Sequence, residues 1–266
     1  MTAAIGRAAL TPVHEEPHPR AALATQLVAG ETARITEEAG AWRRLVLDDG
    51  AAAGWAHGGF LVETSDGAAD AWRSRAAWCS GAVIQLGTAR QWVPLRGRVP
   101  LADGDVELPD GGAARIVRGD IRPLARVHGE ARAAPPEEWA RTRFSGAPYL
   151  WGGVTPGGVD CSGLVQTTWL ARGVTLPRDA AQQATVGVEV PREAMRAGDL
   201  LFFHGDDGGA VQHVAFAGPD ATLIHASLGA GGVTVESWLP GQAAAPLMER
   251  LVAIRRIPDN PVGPSL

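Results

Sequence analysis

The sequence predicts an α+β fold: two small β-barrels, then a larger domain in which a cysteine-bearing helix packs on an antiparallel sheet. Three observations carry this. Residues 21–127 are filled with short alternating stretches separated by glycine turns, the pattern of short strands closing into barrels. Pro135-Pro136 followed by Glu137-Glu138 starts a helix, with proline in the first turn and acids at the positive end of its dipole. After Pro191 the pattern turns to apolar strands, so helices and strands segregate as in α+β domains.

Taken in order, residues 1–20 are polar and proline-containing and read as an N-terminal arm. The first barrel spans 21–67, with strand candidates Ala33–Thr36, Trp42–Leu47 and Gly54–His57 and turns at Ala39-Gly40, Asp48-Asp49-Gly50 and Gly58-Gly59. The second spans 68–127, with Gly81–Leu86, Gln91–Leu95, Val106–Leu108 and Ala114–Val117. The α+β domain covers 128–258, and 259–266 form a tail. Within the domain, Glu137–Phe144 and Cys161–Arg172 read as helices, the second closed by Gly173. Asp199–His204, Gln212–Gly218, Ala221–Ser227, Val233–Trp238 and Leu251–Arg256 read as strands.

Composition narrows the function. The 266 residues are 45% apolar, enough for a sizeable core. All 24 basic residues are arginine and the net charge is -5, which argues against nucleic acid as a partner. No apolar run approaches the roughly 18 residues of a membrane span, and no signal-peptide h-region is visible; the expectation is a cytoplasmic protein. The two cysteines, Cys79 and Cys161, make neither a disulfide framework nor a Cys-x-x-Cys metal pair.

Cys161 stands where a glycine-rich loop turns into an apolar helix. Asp160 is a good N-cap, which puts the thiol in the first helical turn. There the dipole and unpaired N–H groups favour a thiolate and face an oxyanion. Such a nucleophile needs a base, and the base needs a group to fix its tautomer. His213 and His225 sit in consecutive apolar strand patterns joined by Gly218-Pro219-Asp220 and can be cross-strand neighbours. The bland alternative for each is a satisfied core residue. Cys79, beside Trp78, reads as core.

These residues carry a specific resemblance. Tyr149-Leu-Trp-Gly-Gly, Asp160-Cys161-Ser162-Gly-Leu-Val, Leu-Pro-Arg178-Asp179, Gly198-Asp-Leu-Leu-Phe-Phe, His213-Val and Ile-His225-Ala resemble, in order, the NlpC-type family of papain-like cell-wall cysteine peptidases. The resemblance implies Cys161 as nucleophile, His213 as base, His225 as third polar residue and Tyr149 as oxyanion donor, with no metal or cofactor. The front half resembles a narrower group, in which two bacterial SH3-like barrels precede the peptidase domain and murein peptides are cut at the γ-D-glutamyl–diamino acid bond. That implies a murein peptide such as L-Ala-γ-D-Glu-diaminopimelate, with Glu31 and Asp160 near its free ammonium and Ser162 and Asp179 close by. Arg178, after Leu-Pro at a loop, reads either as a contact to a substrate carboxylate or as a structural arginine. Ala51-Ala52-Ala53 replaces a tyrosine usual in that group, and Ala180 stands where a serine often does. The alternatives are a related papain-like amidase or acyltransferase and a non-catalytic wall-binding module.

Overall fold

A computed structural model describes residues 2–47, 52–102, 104–206 and 208–259. The expected Asp48–Gly50 turn, Ala51 and the tail beyond Asp259 lie outside the described residues. The fold is α+β and divides into two compact units, 1–127 and 128–266.

The first unit is strand-rich. Strands β1 (Thr2–Gly6), β2 (Leu10–His14), β3 (Leu23–Val28), β4 (Thr32–Ala39), β5 (Trp42–Leu47), β6 (Ala53–His57) and β7 (Leu61–Ser65) form one sheet in the order β3-β2-β6-β5-β4-β1-β7. The expected arm at 1–20 is therefore corrected. Ala4 and Val13 are buried with Leu27, Ala33, Leu45 and Leu61 in the core of this sheet, so β1 and β2 hold the segment through apolar side chains spaced between polar ones. Helix α1 (Asp66–Arg75) follows, N-capped by Ser65; it was missed because its polar surface left Ala69 and Trp72 as its only buried residues. Strands β8 (Ala76–Leu86), β9 (Ala89–Ala102), β10 (Asp105–Glu107) and β11 (Ala113–Arg122) close into a barrel, around Cys79, Ala82, Ile84, Val93, Val99, Val106, Ala114 and Ile121. Burial pushes the Cys79 thiol up to about 12, as befits an inert core residue.

Helix α2 (Leu124–Arg132) spans the boundary between the two units, running from the expected end of the second barrel into the expected start of the α+β domain. Helix α3 (Pro136–Arg143) begins at the expected Pro136. Strands β12 (Val154–Thr155) and β13 (Gly158–Val159) form a small hairpin that delivers the chain to α4 (Cys161–Ala171). Short α5 (Ala180–Gln183) follows. Strands β14 (Val188–Glu189), β15 (Leu200–His204), β16 (Val211–Ala217), β17 (Thr222–Ser227), β18 (Gly232–Ser237) and β19 (Leu251–Arg256) form a sheet in the order β14-β19-β15-β16-β17-β18. Helix α4 packs against α3, α5, β16 and β17. It is buried on nearly every side, which is why its sequence shows apolar and small residues all round in place of a single stripe.

Candidate active site

The start of α4 is fixed by one carboxylate. Asp160 is extended (φ -98°, ψ 178°), and its side chain accepts the Gly163 N–H at 2.7 Å, as an N-cap should. It also accepts the Gly152 N–H at 2.8 Å and the Ser162 hydroxyl at 3.2 Å. Arg178 donates to both its oxygens, at 3.0 and 2.5 Å, and to the Ser162 hydroxyl at 2.8 Å. Asp160, Ser162 and Arg178 are all buried. The first turn of α4 is pressed against the preceding loop: a Cβ on Gly163 would lie 2.1 Å from the Gly153 carbonyl oxygen. The buried thiol of Cys161 is thus presented by a helix end locked from beneath.

The sheet supplies the other half. The β16–β17 ladder runs only through Phe216↔Ile224 and Ala217↔Leu223. Towards His213 the two strands part, and there the Val214 N–H donates to the Cys161 sulfur, as does the Ser162 N–H. Carried on, that register puts His213 and His225 on one face, in diagonal positions. His213 Nε2 lies 2.8 Å from His225 Nδ1, and the His213 ring packs on Phe203 of β15. In the β17–β18 ladder, His225 opposes Thr234 and Leu223 opposes Glu236. Glu236 is therefore diagonal to His225 on the same face, and its Oε2 lies 2.8 Å from His225 Nε2.

Electrostatics reverse one expectation. The helix end does not depress the thiol; Cys161 is pushed up to about 11, first by burial and then by Asp160, against the Val214 and Ser162 N–H groups and Arg178. Burial, then His225 and Arg250, push His213 down to about 3. Burial also lowers His225, opposed by the hydrogen bond and charge of Glu236. The Cys161 thiol and the His213 imidazole are thus both held neutral. Tyr149 is pushed up to about 12 by burial and by Cys161 and Asp160, so its hydroxyl stays protonated and able to donate. Its backbone is pinned by its N–H to the Gly231 carbonyl at 2.9 Å and by a bridge to Val159.

Residues 146–250 match the NlpC/P60 family. This part of the chain is an NlpC/P60 domain. Two curated relatives are gamma-D-glutamyl-L-lysine dipeptidyl-peptidases. That of Bacillus subtilis is 46% identical over 83 residues, 31% of this chain and 28% of the relative. That of Bacillus cereus is 36% identical over 136 residues, 48% of this chain and 40% of the relative. The matches therefore span well under half of those relatives' lengths. A crystal structure of an NlpC/P60 family protein from Bacillus cereus shares the fold over 96% of this chain and 99% of that one, with a TM-score of 0.78 at 22% identity.

Within the NlpC/P60 domain, Tyr149, Asp160, Cys161, Ser162, Arg178, His213 and His225 come together. Two readings change. Arg178, expected to line the site for substrate, is buried and bound to Asp160 and Ser162. Asp160, expected at a substrate ammonium, already has its oxygens occupied by Gly152, Gly163, Ser162 and Arg178. Asp179 caps α5 without a side-chain cap bond and is exposed. Glu31 lies in the other unit, where its carboxylate accepts from Arg96 at 2.5 Å and from the Val28 N–H at 2.9 Å. Sequence reasoning missed Glu236. The signal lies in the register: once the β17–β18 hairpin closes at Ser227↔Gly232, His225 and Glu236 share one face.

Proposed function

We propose that the chain is a cysteine peptidase that hydrolyses the γ-D-glutamyl–diamino acid bond of murein peptides with a free N-terminal L-Ala, such as L-Ala-γ-D-Glu-diaminopimelate, and that it serves murein-peptide recycling in the cytoplasm. The observation that carries it is the Cys161 thiol at the first turn of α4, held by the Val214 N–H one residue from His213, whose imidazole is backed by His225. The names of the Bacillus relatives support the bond and the counting of residues from a free amino terminus.

In the reaction, the Cys161 sulfur attacks the γ-carbonyl carbon as its proton passes to His213. The carbonyl oxygen becomes an oxyanion, held by the Tyr149 hydroxyl and the N–H groups at the start of α4. The C–N bond then breaks, and His213 gives its proton to the departing amine. Water, deprotonated by His213, hydrolyses the thioester and frees the thiol. Ser162, held by Arg178 and Asp160, lines the cleft beside the thiol. No step calls for a metal or cofactor.

Purified protein incubated with L-Ala-γ-D-Glu-diaminopimelate should release L-Ala-D-Glu and the diamino acid, seen by mass spectrometry. Cys161→Ala should release neither. An intact tripeptide with wild type, or equal cleavage by Cys161→Ala, refutes the assignment. Equal cleavage of the N-acetylated tripeptide removes the free-terminus requirement, and cell fractionation tests the compartment.

A further inference from the structure

The outer end of the imidazole chain has no part in the reaction as written, yet it decides which nitrogen of His213 carries a proton. A neutral imidazole has one N–H and one lone pair. His213 Nε2 and His225 Nδ1 are 2.8 Å apart, so one donates and the other accepts. The pair alone does not say which. If His225 donated from Nδ1, His213 would keep its own proton on Nδ1 and could not take one from a thiol.

Glu236 removes the ambiguity. Its Oε2 lies 2.8 Å from His225 Nε2, and a carboxylate only accepts. His225 therefore carries its proton on Nε2 and leaves Nδ1 bare. His213 must then donate from Nε2, and its Nδ1 is bare. That is the one nitrogen of His213 not engaged by His225. Geometry fixes the carboxylate there: Glu236 is on β18, on the face that carries His225, at the diagonal position a long side chain can span.

We infer that Glu236 is a positioning residue that sets the tautomers of both His225 and His213, so that His213 offers a lone pair on Nδ1 to the Cys161 thiol. The inference rests on the proposed pairing of Cys161 with His213. When the thiol proton reaches Nδ1, His213 becomes a cation with N–H groups on both nitrogens. Its Nε2–H still points along His225 to a negative charge. The charged and titratable groups acting on this chain are Cys161 at the start of α4, Glu236 on β18, and Arg250, whose charge lowers His213 and which is itself paired with Asp206. Glu236 is the negative charge hydrogen-bonded to the imidazole chain.

The test has two readouts on the full chain. In 15N-histidine-labelled wild type, long-range 1H–15N spectra should show both His213 and His225 protonated at Nε2, assigned by His213→Gln and His225→Gln. Glu236→Ala should introduce an Nδ1-protonated population at His225. Wild-type His213 protonated at Nδ1, or tautomers unchanged in Glu236→Ala, overturns the inference whether or not a peptide is cut. In kinetics, Glu236→Gln keeps an acceptor but loses the charge. Its kcat/KM should fall roughly tenfold, and that of Glu236→Ala roughly a hundredfold. Both are smaller than the ~10⁴ loss seen when the orienting carboxylate touches the base directly, since Glu236 is one imidazole further out. In both variants the acid limb of the kcat/KM profile should move to lower pH, because the imidazolium has lost a counter-charge; damaged packing alone would lower the plateau and leave the limb in place. If wild type cleaves and both variants match it in rate and limb, Glu236 has no such role while the peptidase reading stands. If Glu236→Ala does not fold, Glu236→Gln and the wild-type spectrum still decide.

Discussion

Replacing Arg178 with methionine should unfold the NlpC/P60 domain more easily than any surface change, and should also move the thiol. Arg178 and Asp160 approach to 2.5 Å with side chains only 4% and 8% exposed. At an effective dielectric of about 20, that separation corresponds to about 7 kcal/mol of attraction. The cost of burying two ions offsets most of it, so the intact pair contributes little net stability. Removing one partner is different. Arg178→Met strands a carboxylate among Gly152, Gly163 and Ser162, and a loss of about 3–5 kcal/mol is expected. Asp160→Asn keeps an N-cap of comparable quality but strands the guanidinium, at a similar cost. The double variant should lose clearly less than the sum, because no charge is left unpaired. Urea denaturation monitored in this unit gives the three values. Alkylation of Cys161 against pH gives an independent readout, because Asp160 raises the thiol and Arg178 lowers it. The midpoint should move down from about 11 in Asp160→Asn and up in Arg178→Met. Single variants each costing under about 1 kcal/mol, or midpoints moving the same way, would refute the picture of a buried pair beneath the nucleophile.

Other expectations follow from the same geometry. His213 at about 3 lies below its unfolded value of about 6.5, so the unfolded chain binds the extra proton and stability falls as pH drops through that window, by at most about 1.4 kcal/mol per pH unit. Cys161 at about 11 lies above its unfolded value of about 8.5, so stability falls again as pH rises between them. His213→Gln should flatten the acid slope, and an unchanged slope would show that His213 is not held neutral. Tyr149 is the sole tyrosine, so phenolate absorbance reports it alone; while the fold persists it should titrate near 12, and a midpoint near 10 would place the hydroxyl in open water. Gly163→Ala should cost about 1–3 kcal/mol, because its Cβ would meet the Gly153 carbonyl oxygen at 2.1 Å; a neutral thermal shift would contradict that approach.

Much of the second unit was legible because its signals are local. Asp160 before an apolar run is a cap, Pro136 a helix start, and the alternation in 211–217 and 222–227 a pair of strands. The structure returns each within a residue or two. What was not legible depends on partners distant in sequence. Val13 and Ala4 are apolar residues in a polar, proline-bearing stretch, and only the sheet they join makes strands of β1 and β2. Arg178 reads the same whether it meets a substrate or Asp160. Glu31, expected at a substrate ammonium, pairs with Arg96, 65 positions on. Glu236 needed register, and register is set by a hairpin whose closing pair the alternation does not mark.

The raised thiol also changes what counts as a sign of activity. A helix start contributes at most about 2 kcal/mol to an anion, roughly one and a half pKa units, and here it competes with burial and with the Asp160 carboxylate. The dipole loses that contest. Under the proposed reaction its N–H groups therefore act when charge develops on the substrate oxygen, not by maintaining a standing thiolate. With His213 also neutral, proton transfer from Cys161 must accompany attack. Small alkylating agents at neutral pH should then modify Cys161 slowly even in a competent enzyme, because they offer no contacts that offset charge separation. Slow labelling cannot separate a peptidase from a relic domain. A bound peptide can, since it excludes water, supplies the carbonyl oxygen for Tyr149 and the helix end, and aligns the carbon with the sulfur. Under this mechanism, an unreactive analogue of the peptide should protect Cys161 from alkylation at an occupancy that matches its inhibition of cleavage. Labelling that proceeds unhindered at saturating analogue would place the substrate away from the thiol.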